Sequence, residues 1–168
     1  MNSKSLRRLA TDHASLHTAG LPPNYLFPPS NSSADPTADL THLDVLLAGP
    51  PGTPFAAGLF ALHLSIPPTY PVHPPTATFR TRIFHPNVDE ATGAVCVETL
   101  KRDWSEKLRL RDVLVTISCL LIQPNPESAL NAEAGRLCAE DWCGFERRVK
   151  VWVGIHAGVP KGLVAAVE

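Results

Sequence analysis

One cysteine of this sequence stands in a context that suits covalent chemistry. Cys96 follows a segment rich in turn-forming residues, among them His85, Asn87 and Gly93. A loop of this kind would leave the thiol within reach of a bulky substrate, and a thiolate is a good nucleophile that can carry an acyl group as a thioester. A lone cysteine is more often a buried structural thiol, so the interpretation depends on the residues around it.

The other cysteines show no pattern of their own. Cys119, Cys138 and Cys143 form no CxxC pair, and their spacing offers no zinc-binding pattern with histidine partners. Scattered thiols of this kind are typical of reduced proteins, which predicts a cytoplasmic or nuclear location. The polar segment Met1–Gly20 lacks the apolar stretch that a secretory signal carries.

The composition favours one packed domain and argues against two classes of partner. The chain has 168 residues, 44% of them hydrophobic, and a formal net charge of -1. This length suits a single domain, and a nearly neutral chain has no general electrostatic attraction for nucleic acid or for an anionic membrane. No apolar run approaches the roughly 20 residues that a membrane span requires. We therefore expect neither a nucleic-acid partner nor a membrane.

Apolar periodicity and the placement of prolines predict the elements that position Cys96. Three short apolar runs are bounded by turns, and the middle run has Phe60, Leu62 and Leu64 at alternate positions, which predicts an antiparallel meander. Helical spacing predicts one helix before the strands and three after Cys96. The predicted strands are 43–48, 59–66 and 76–79, the predicted helices are 3–18, 110–122, 129–138 and 141–156, and 82–99 is expected to be irregular.

Several motifs in a fixed order give the sequence a family resemblance. They are Gly49-Pro50-Pro51-Gly52, Tyr70-Pro71, Ile83-Phe84-His85-Pro86-Asn87, Val95-Cys96, Trp104 and Pro124-Asn125-Pro126. This order resembles the core domain of ubiquitin-conjugating (E2) enzymes over about residues 4–156. The resemblance implies an α+β fold with an N-terminal helix, a four-stranded antiparallel meander, an active-site loop and three C-terminal helices. The E2 core would cover residues 1–157, and residues 158–168 would form a short flexible extension.

The resemblance also implies a reaction. Cys96 would accept ubiquitin as a thioester from an E1 enzyme and pass it to a lysine. No metal or cofactor is implied, because ATP is consumed by the E1. Asn87 would either donate its amide to the oxyanion that forms as the lysine attacks, or brace the loop. His85 is interpreted as a structural histidine that holds the loop by hydrogen bonds, with a general-base role as the alternative.

A narrower resemblance points to one group within the family. The segment Leu100-Lys101-Arg102-Asp103-Trp104 and the stretch 124–137 resemble the chain-elongating E2 that makes lysine-eleven linkages with the anaphase-promoting complex. That relative continues into a lysine-rich C-terminal tail, whereas this sequence ends at Glu168.

Two residues and the length of one segment near the predicted site differ from the family pattern. Ser128 stands where many E2 enzymes carry an aspartate, which would help to remove the proton of the attacking lysine. Ala132 stands where the chain-elongating relative has a glutamate. The segment between His85 and Cys96 is one residue longer than the usual family loop. Ala132 leaves the linkage type open, and the extra residue could displace the loop beside the thiol.

The resemblance assigns partner contacts to further residues. Arg7 and Arg8 on the first helix would dock on the E1, and Glu127 and Ser128 would support the incoming lysine. The residues implied to contact ubiquitin are Lys101, Arg102, Asp103, Ser118, Cys119, Arg136 and Glu140. The charged groups among them could equally belong to an ordinary solvated surface. The implied partners are donor and acceptor ubiquitin, an E1, and an E3 ligase such as the anaphase-promoting complex.

Three other functions fit parts of this pattern. A non-catalytic ubiquitin-binding variant would keep the E2 fold, but the presence of both Cys96 and Asn87 argues against it. An E2 for another ubiquitin-like modifier would keep the fold and the thioester chemistry alike. An unrelated thiol hydrolase needs a histidine base beside the cysteine, and His85 is a poor candidate because it opens a His-Pro-Asn turn.

Overall fold

The computed structural model describes residues 2–29 and 39–158 and has an α+β architecture. Four antiparallel strands pair in sequential order, which confirms the predicted meander. The strands are β1 (Tyr25–Leu26), β2 (His42–Ala48), β3 (Leu59–Ser65) and β4 (Thr76–Phe79). The helices are α1 (Ser3–Thr18), α2 (Val97–Lys101), α3 (Leu110–Ile122), α4 (Ala132–Glu140) and α5 (Trp142–His156), and a 3-10 turn covers Pro126–Ser128.

The sheet buries one face, as the alternation in β3 predicts. Phe60, Leu62 and Leu64 are each at most 1% exposed, and alternate side chains of a strand share a face. The hydroxyl of Tyr25 in β1 donates to the carbonyl of Leu114 in α3 at 2.8 Å. This hydrogen bond attaches the edge strand β1 to helix α3.

The segments with strong periodicity have the predicted bounds to within one residue. Helices α1 and α3 and strand β4 begin and end where the sequence predicts, while β2 begins one residue earlier and β3 ends one residue earlier. Strand β1 is the fourth strand that the resemblance implies, but the apolar pattern gives no bounds for it. It has two residues, and its pairing with Leu46 and Leu47 is a contact with a distant part of the chain.

The bounds of two segments near Cys96 require correction. The predicted helix 129–138 is displaced to α4, because Pro126 opens a 3-10 turn and the side chain of Asn131 caps α4 by accepting from the N–H of Ala134 at 3.0 Å. The predicted irregular segment 82–99 ends earlier, because α2 begins at Val97. A five-residue helix is too short to show a periodic pattern. In the described ranges α2 therefore adds to the three predicted C-terminal helices.

The predicted C-terminal extension lies almost entirely outside the described residues. Of the expected extension 158–168, only Gly158 belongs to the described residues, where it bridges Gly58; the predicted flexibility falls outside them. No helix within the described residues combines the length and the apolar character that crossing a membrane demands.

Candidate active site

Cys96 lies where the loop after β4 meets α2. Its N–H donates to the carbonyl of Asn87 at 2.9 Å, and Val95 forms a bridge with Val88. Residues 87–96 are therefore a short hairpin with Asn87 and Cys96 opposite each other at its open end. Cys96 is the N-cap residue of α2 and is 7% exposed. Cys96 is thus held in place and buried, which differs from the accessible thiol that the loop predicts.

The turn of this hairpin requires glycine at position 93. Gly93 has a φ of +74°, and a Cβ atom there would lie 2.0 Å from the carbonyl oxygen of Phe79. The carbonyl of Gly93 also accepts from the N–H of Phe79 at 2.8 Å. Because the hairpin lies directly against β4, any side chain at this position would push the Cys96 loop away from the sheet.

Asn87 joins the Cys96 hairpin to the turn that precedes α4. Its side chain is fully buried. The Nδ2 group donates to the carbonyls of Asn125 at 2.6 Å and Ser128 at 3.2 Å, and Oδ1 accepts from the N–H of Asn125 at 2.9 Å. Both amide hydrogens are therefore engaged within the protein. This geometry is that of a brace, and donation to an oxyanion would require one of these bonds to open.

His85 is a buried, neutral histidine. Its Nδ1 accepts from the N–H of Asn87 at 3.0 Å, so the ring proton is on Nε2, which donates to the carbonyl of Leu120 at 2.9 Å. Burial lowers the pKa of His85 to about 4. Since neither ring nitrogen is free, His85 is not placed to act as a base toward Cys96, which excludes it as the base of a thiol hydrolase.

The buried His85 predicts a specific loss of stability in acid. Its pKa falls from 6.5 to about 4 on folding, so between these values the unfolded chain binds the proton and the folded chain does not. The free energy of unfolding should therefore decrease by about 3 kcal/mol as the pH falls through this window. Chemical denaturation of the wild-type protein and His85→Gln from pH 7 to pH 4 measures the difference in slope.

The exposed His73 provides the control for removing a histidine. His73→Gln is denatured under the same conditions, and the slope is compared among the three proteins. Parallel curves for the wild-type protein and His85→Gln would contradict the assignment of a buried neutral imidazole.

A cleft of about 610 Å³ opens between α2 and the end of α3. It brings together four of the residues that the sequence assigns to ubiquitin or to the lysine, namely Arg102, Asp103, Cys119 and Glu127. Cys119 is exposed and Ser118 beside it is half-buried. Ser128 ends the 3-10 turn, and its hydroxyl contacts the amide of Asn125 at 3.4 Å.

The remaining predicted ubiquitin contacts lie on other surfaces. Lys101 lines a separate groove with Val97 and His73. Arg136 and Glu140 form an ion pair of 3.6 Å along α4, with both side chains more than half exposed. An exposed pair of this kind contributes little to stability, so these two groups stay available to a partner.

The two arginines of the expected E1 surface have different environments. Arg7 is exposed. Arg8 is held within the protein: its Nε lies 3.0 Å from the Asp12 carboxylate, and its guanidinium donates to the carbonyls of Glu106 and Leu108 at 2.9 and 2.5 Å. The structure therefore gives Arg8 a role in attaching α1 to the loop before α3, whereas Arg7 is free to meet a partner.

Arg8→Ala is expected to lower the free energy of unfolding by roughly 2–4 kcal/mol, because it leaves the buried Asp12 carboxylate without its main partner. Asp12 is 1% exposed. Arg7→Ala, as the neighbouring control, should change stability by less than about 0.5 kcal/mol. Urea denaturation of both variants measures this difference. Equal stabilities for the two variants would contradict the structural role of Arg8.

Two asparagines that hold the site together were missed at the level of sequence. Asn125 exchanges hydrogen bonds with Asn87 across 38 residues, and its Oδ1 accepts from the N–H of Glu127 at 3.1 Å. Asn131 caps α4, and its Nδ2 donates to Glu90 at 3.0 Å. An asparagine before a proline signals a turn, which the Asn125-Pro126 pair provides, but no local signal reveals a partner so distant along the chain.

Comparison with known proteins places this geometry in a family. The family model for ubiquitin-conjugating enzymes matches residues 24–153. The chain is 52% identical over 130 residues to human ubiquitin-conjugating enzyme E2 S, covering 76% of this chain and 58% of the human protein. It is 48% identical over 130 residues to the Drosophila melanogaster protein of that name, covering 77% and 62%. The chain thus spans less than two thirds of the length of these curated relatives.

A solved structure agrees with the sequence matches. A Plasmodium yoelii crystal structure assigned as a ubiquitin conjugating enzyme superimposes with a TM-score of 0.78 and 30% identity, covering 95% of this chain and 99% of that one. The matched range contains the hairpin with Cys96 and Asn87, the brace to the turn before α4, and the buried His85. On these grounds the chain belongs to the ubiquitin-conjugating enzyme family.

Proposed function

We propose that this chain accepts ubiquitin from an E1 as a thioester on Cys96, transfers it to a lysine, and extends polyubiquitin chains in doing so. The observation that supports this most directly is the position of Cys96. The N–H of Cys96 is bound to Asn87 at the open end of the hairpin, and the side chain of Asn87 is bound to Asn125, which lines the cleft. Family membership and the relatives named E2 S favour the same reaction.

The chemistry consists of two acyl transfers. In the first, the Cys96 thiolate attacks the thioester carbonyl on the E1, and the E1 thiolate leaves. In the second, the neutral amine of a lysine attacks the Cys96 thioester, the carbon–sulfur bond breaks, and the amine loses a proton as the isopeptide bond forms. The thioester already holds the energy of the reaction, so this proposal places ATP at the E1 and requires no metal or cofactor on this chain.

The partners follow from this reaction. We propose donor ubiquitin on the side of the cleft that holds Ser118 and Cys119, acceptor ubiquitin as one source of the lysine, and the E1 on the surface that carries Arg7. The resemblance of residues 100–104 and 124–137 to the chain-elongating E2 supports the anaphase-promoting complex as the proposed E3. A cytoplasmic or nuclear location remains a prediction from the reduced cysteines.

A charging assay tests the proposal. The protein is mixed with a ubiquitin E1, ATP and ubiquitin, and the product is resolved with and without reducing agent. An adduct of one ubiquitin that disappears on reduction is the expected result, followed by discharge when free lysine is added. Mass spectrometry of the chains formed then identifies the linkage, which the sequence leaves open because Ala132 replaces the glutamate of the lysine-eleven-specific relative.

The alternatives give different results in the same assay. No adduct with a folded protein would favour the non-catalytic ubiquitin-binding variant. An adduct that forms only with another ubiquitin-like modifier and its own E1 would favour an E2 for that modifier. Either result would overturn the proposed function.

A further inference from the structure

The tip of the Cys96 hairpin carries two neighbouring carboxylates, Asp89 and Glu90, which have different environments. Val88 bridges Val95, and the Asp89 carboxylate accepts from the N–H and the hydroxyl of Thr92 at 2.7 and 2.6 Å. These bonds to Thr92 lower the pKa of Asp89, so that carboxylate is committed to the turn. Glu90 is the next residue and is exposed. The rigid turn thus fixes where its backbone lies.

The side chain of Glu90 is fixed as well. Its Oε2 accepts from Nδ2 of Asn131 at 3.0 Å. Asn131 is itself immobile, because its Oδ1 caps α4 through Ala134 and its N–H donates to the carbonyl of Pro86 at 3.1 Å. The bond occupies one oxygen of the carboxylate and leaves the other without a hydrogen bond from the described residues. A carboxylate held in this way loses little conformational entropy when it binds a cation.

The charge of Glu90 is not neutralised within residues 2–29 and 39–158. Arg80 and Arg82 line the same cleft of about 390 Å³, but both are engaged elsewhere. Arg80 lies 3.4 Å from the carboxylate of Asp44, and the Arg82 guanidinium lies over the ring of Trp152 at 5.7 Å. No cation in the described residues lies within ion-pair distance of Glu90. It is therefore a negative group on the rim of the hairpin that is available to a partner.

The position of Glu90 along the hairpin decides which cation it can meet. Asn87 faces Cys96, and Glu90 begins the turn three residues further along, so its Cα lies at most roughly 10 Å from that of Asn87. The lysine that attacks the thioester must come within about 3.5 Å of its carbonyl carbon. The attacking amine must be uncharged, so a carboxylate that binds a cation selects a second basic group near the acceptor lysine and not the attacking amine itself. A second cation, two or three residues from the acceptor lysine in an extended chain, would span the distance.

We propose that Glu90, held by Asn131, is an acceptor-specificity residue that binds a basic side chain two or three positions from the lysine being modified. This inference rests on the proposed function, because it requires a lysine acceptor at Cys96. Leu130, 47% exposed and bound through its N–H to the carbonyl of Pro86 at 2.8 Å, offers an apolar surface on the same rim for the methylene groups of the acceptor.

Discharge of the charged protein onto two synthetic peptides tests the proposal. Each peptide has one lysine, with either arginine or glutamine three positions away, since arginine supplies the charge but cannot accept ubiquitin. The wild-type protein should prefer the arginine peptide by about two- to fivefold in kcat/KM, the range expected for an exposed ion pair. The effect should appear chiefly in KM and weaken at high salt.

Glu90→Gln separates the charge from the structural bond, because the glutamine oxygen can still accept from Asn131. We expect this variant to lose the preference and to discharge onto free lysine at the wild-type rate, and Glu90→Lys to favour the glutamine peptide. Glu146→Gln is the matched control: it removes the same charge from an exposed ion pair with Lys150 on α5.

The possible outcomes separate this inference from the proposed function. A wild-type protein that charges and discharges onto free lysine but treats the two peptides alike would overturn the role of Glu90 alone. An unchanged preference in Glu90→Gln would also overturn it, because the charge would then be irrelevant. Failure to charge at all would overturn the proposed function and this inference together.

Discussion

Cys96→Ser is expected to form a ubiquitin adduct that resists reducing agent, and Cys96→Ala is expected to form none. Serine provides an oxygen nucleophile at the same position, and the resulting oxyester is not cleaved by thiols as a thioester is. Alanine removes the nucleophile entirely. Charging of both variants with E1, ATP and ubiquitin, resolved with and without reducing agent, measures the result. The expected loss of thioester exceeds the effect of any other single substitution, because the reaction passes through this one atom.

Cys119 provides the matched control. It is exposed and lines the cleft beside α2, so it is the thiol most able to substitute for Cys96. Cys119→Ser should charge normally and keep an adduct that reducing agent removes. A reducible adduct on Cys96→Ser would contradict the assignment, and its loss in the double variant would move the nucleophile to Cys119.

The fold could be predicted where the local pattern repeats. Helix α3 has Val113, Leu114 and Ile117 at helical spacing, and all three are at most 4% exposed; this pattern defines both the helix and its buried face. Strand β1 and helix α2 could not be predicted from the apolar pattern, because two and five residues are too few for a period to appear. Their existence depends on contacts with remote parts of the chain, such as the pairing of Tyr25 with Leu47.

The candidate site divides in the same way. The order of motifs predicts which residues surround the thiol, since His85, Asn87 and Cys96 stand at fixed intervals in one segment. The distant hydrogen-bond partners of His85 and Asn87 could not be predicted, because they lie 35, 38 and 41 residues away along the chain. For this reason the sequence left two roles open for Asn87, and the structure adds the observation that both of its amide hydrogens are used.

Asn87→Asp is expected to slow lysine discharge by at least about a hundredfold and to lower the free energy of unfolding by roughly 2–5 kcal/mol. The substitution keeps the shape of the side chain but replaces the Nδ2 donor with a carboxylate oxygen. That oxygen would face the carbonyls of Asn125 and Ser128, 2.6 and 3.2 Å from the atom it replaces. A buried negative charge against two acceptors disrupts the contact between the hairpin and the turn before α4.

Single-turnover discharge, urea denaturation and hydrogen exchange of residues 125–128 should therefore change together in this variant. Ser128→Ala is the control for the brace, because Asn87 uses only the backbone carbonyl of Ser128; its stability and the exchange of residues 125–128 should stay close to wild type. If Asn87→Asp lost discharge while its stability and the exchange of residues 125–128 were unchanged, the brace would be contradicted. The oxyanion role would then be favoured, since an amide needed only in the transition state contributes nothing to the stability of the resting protein.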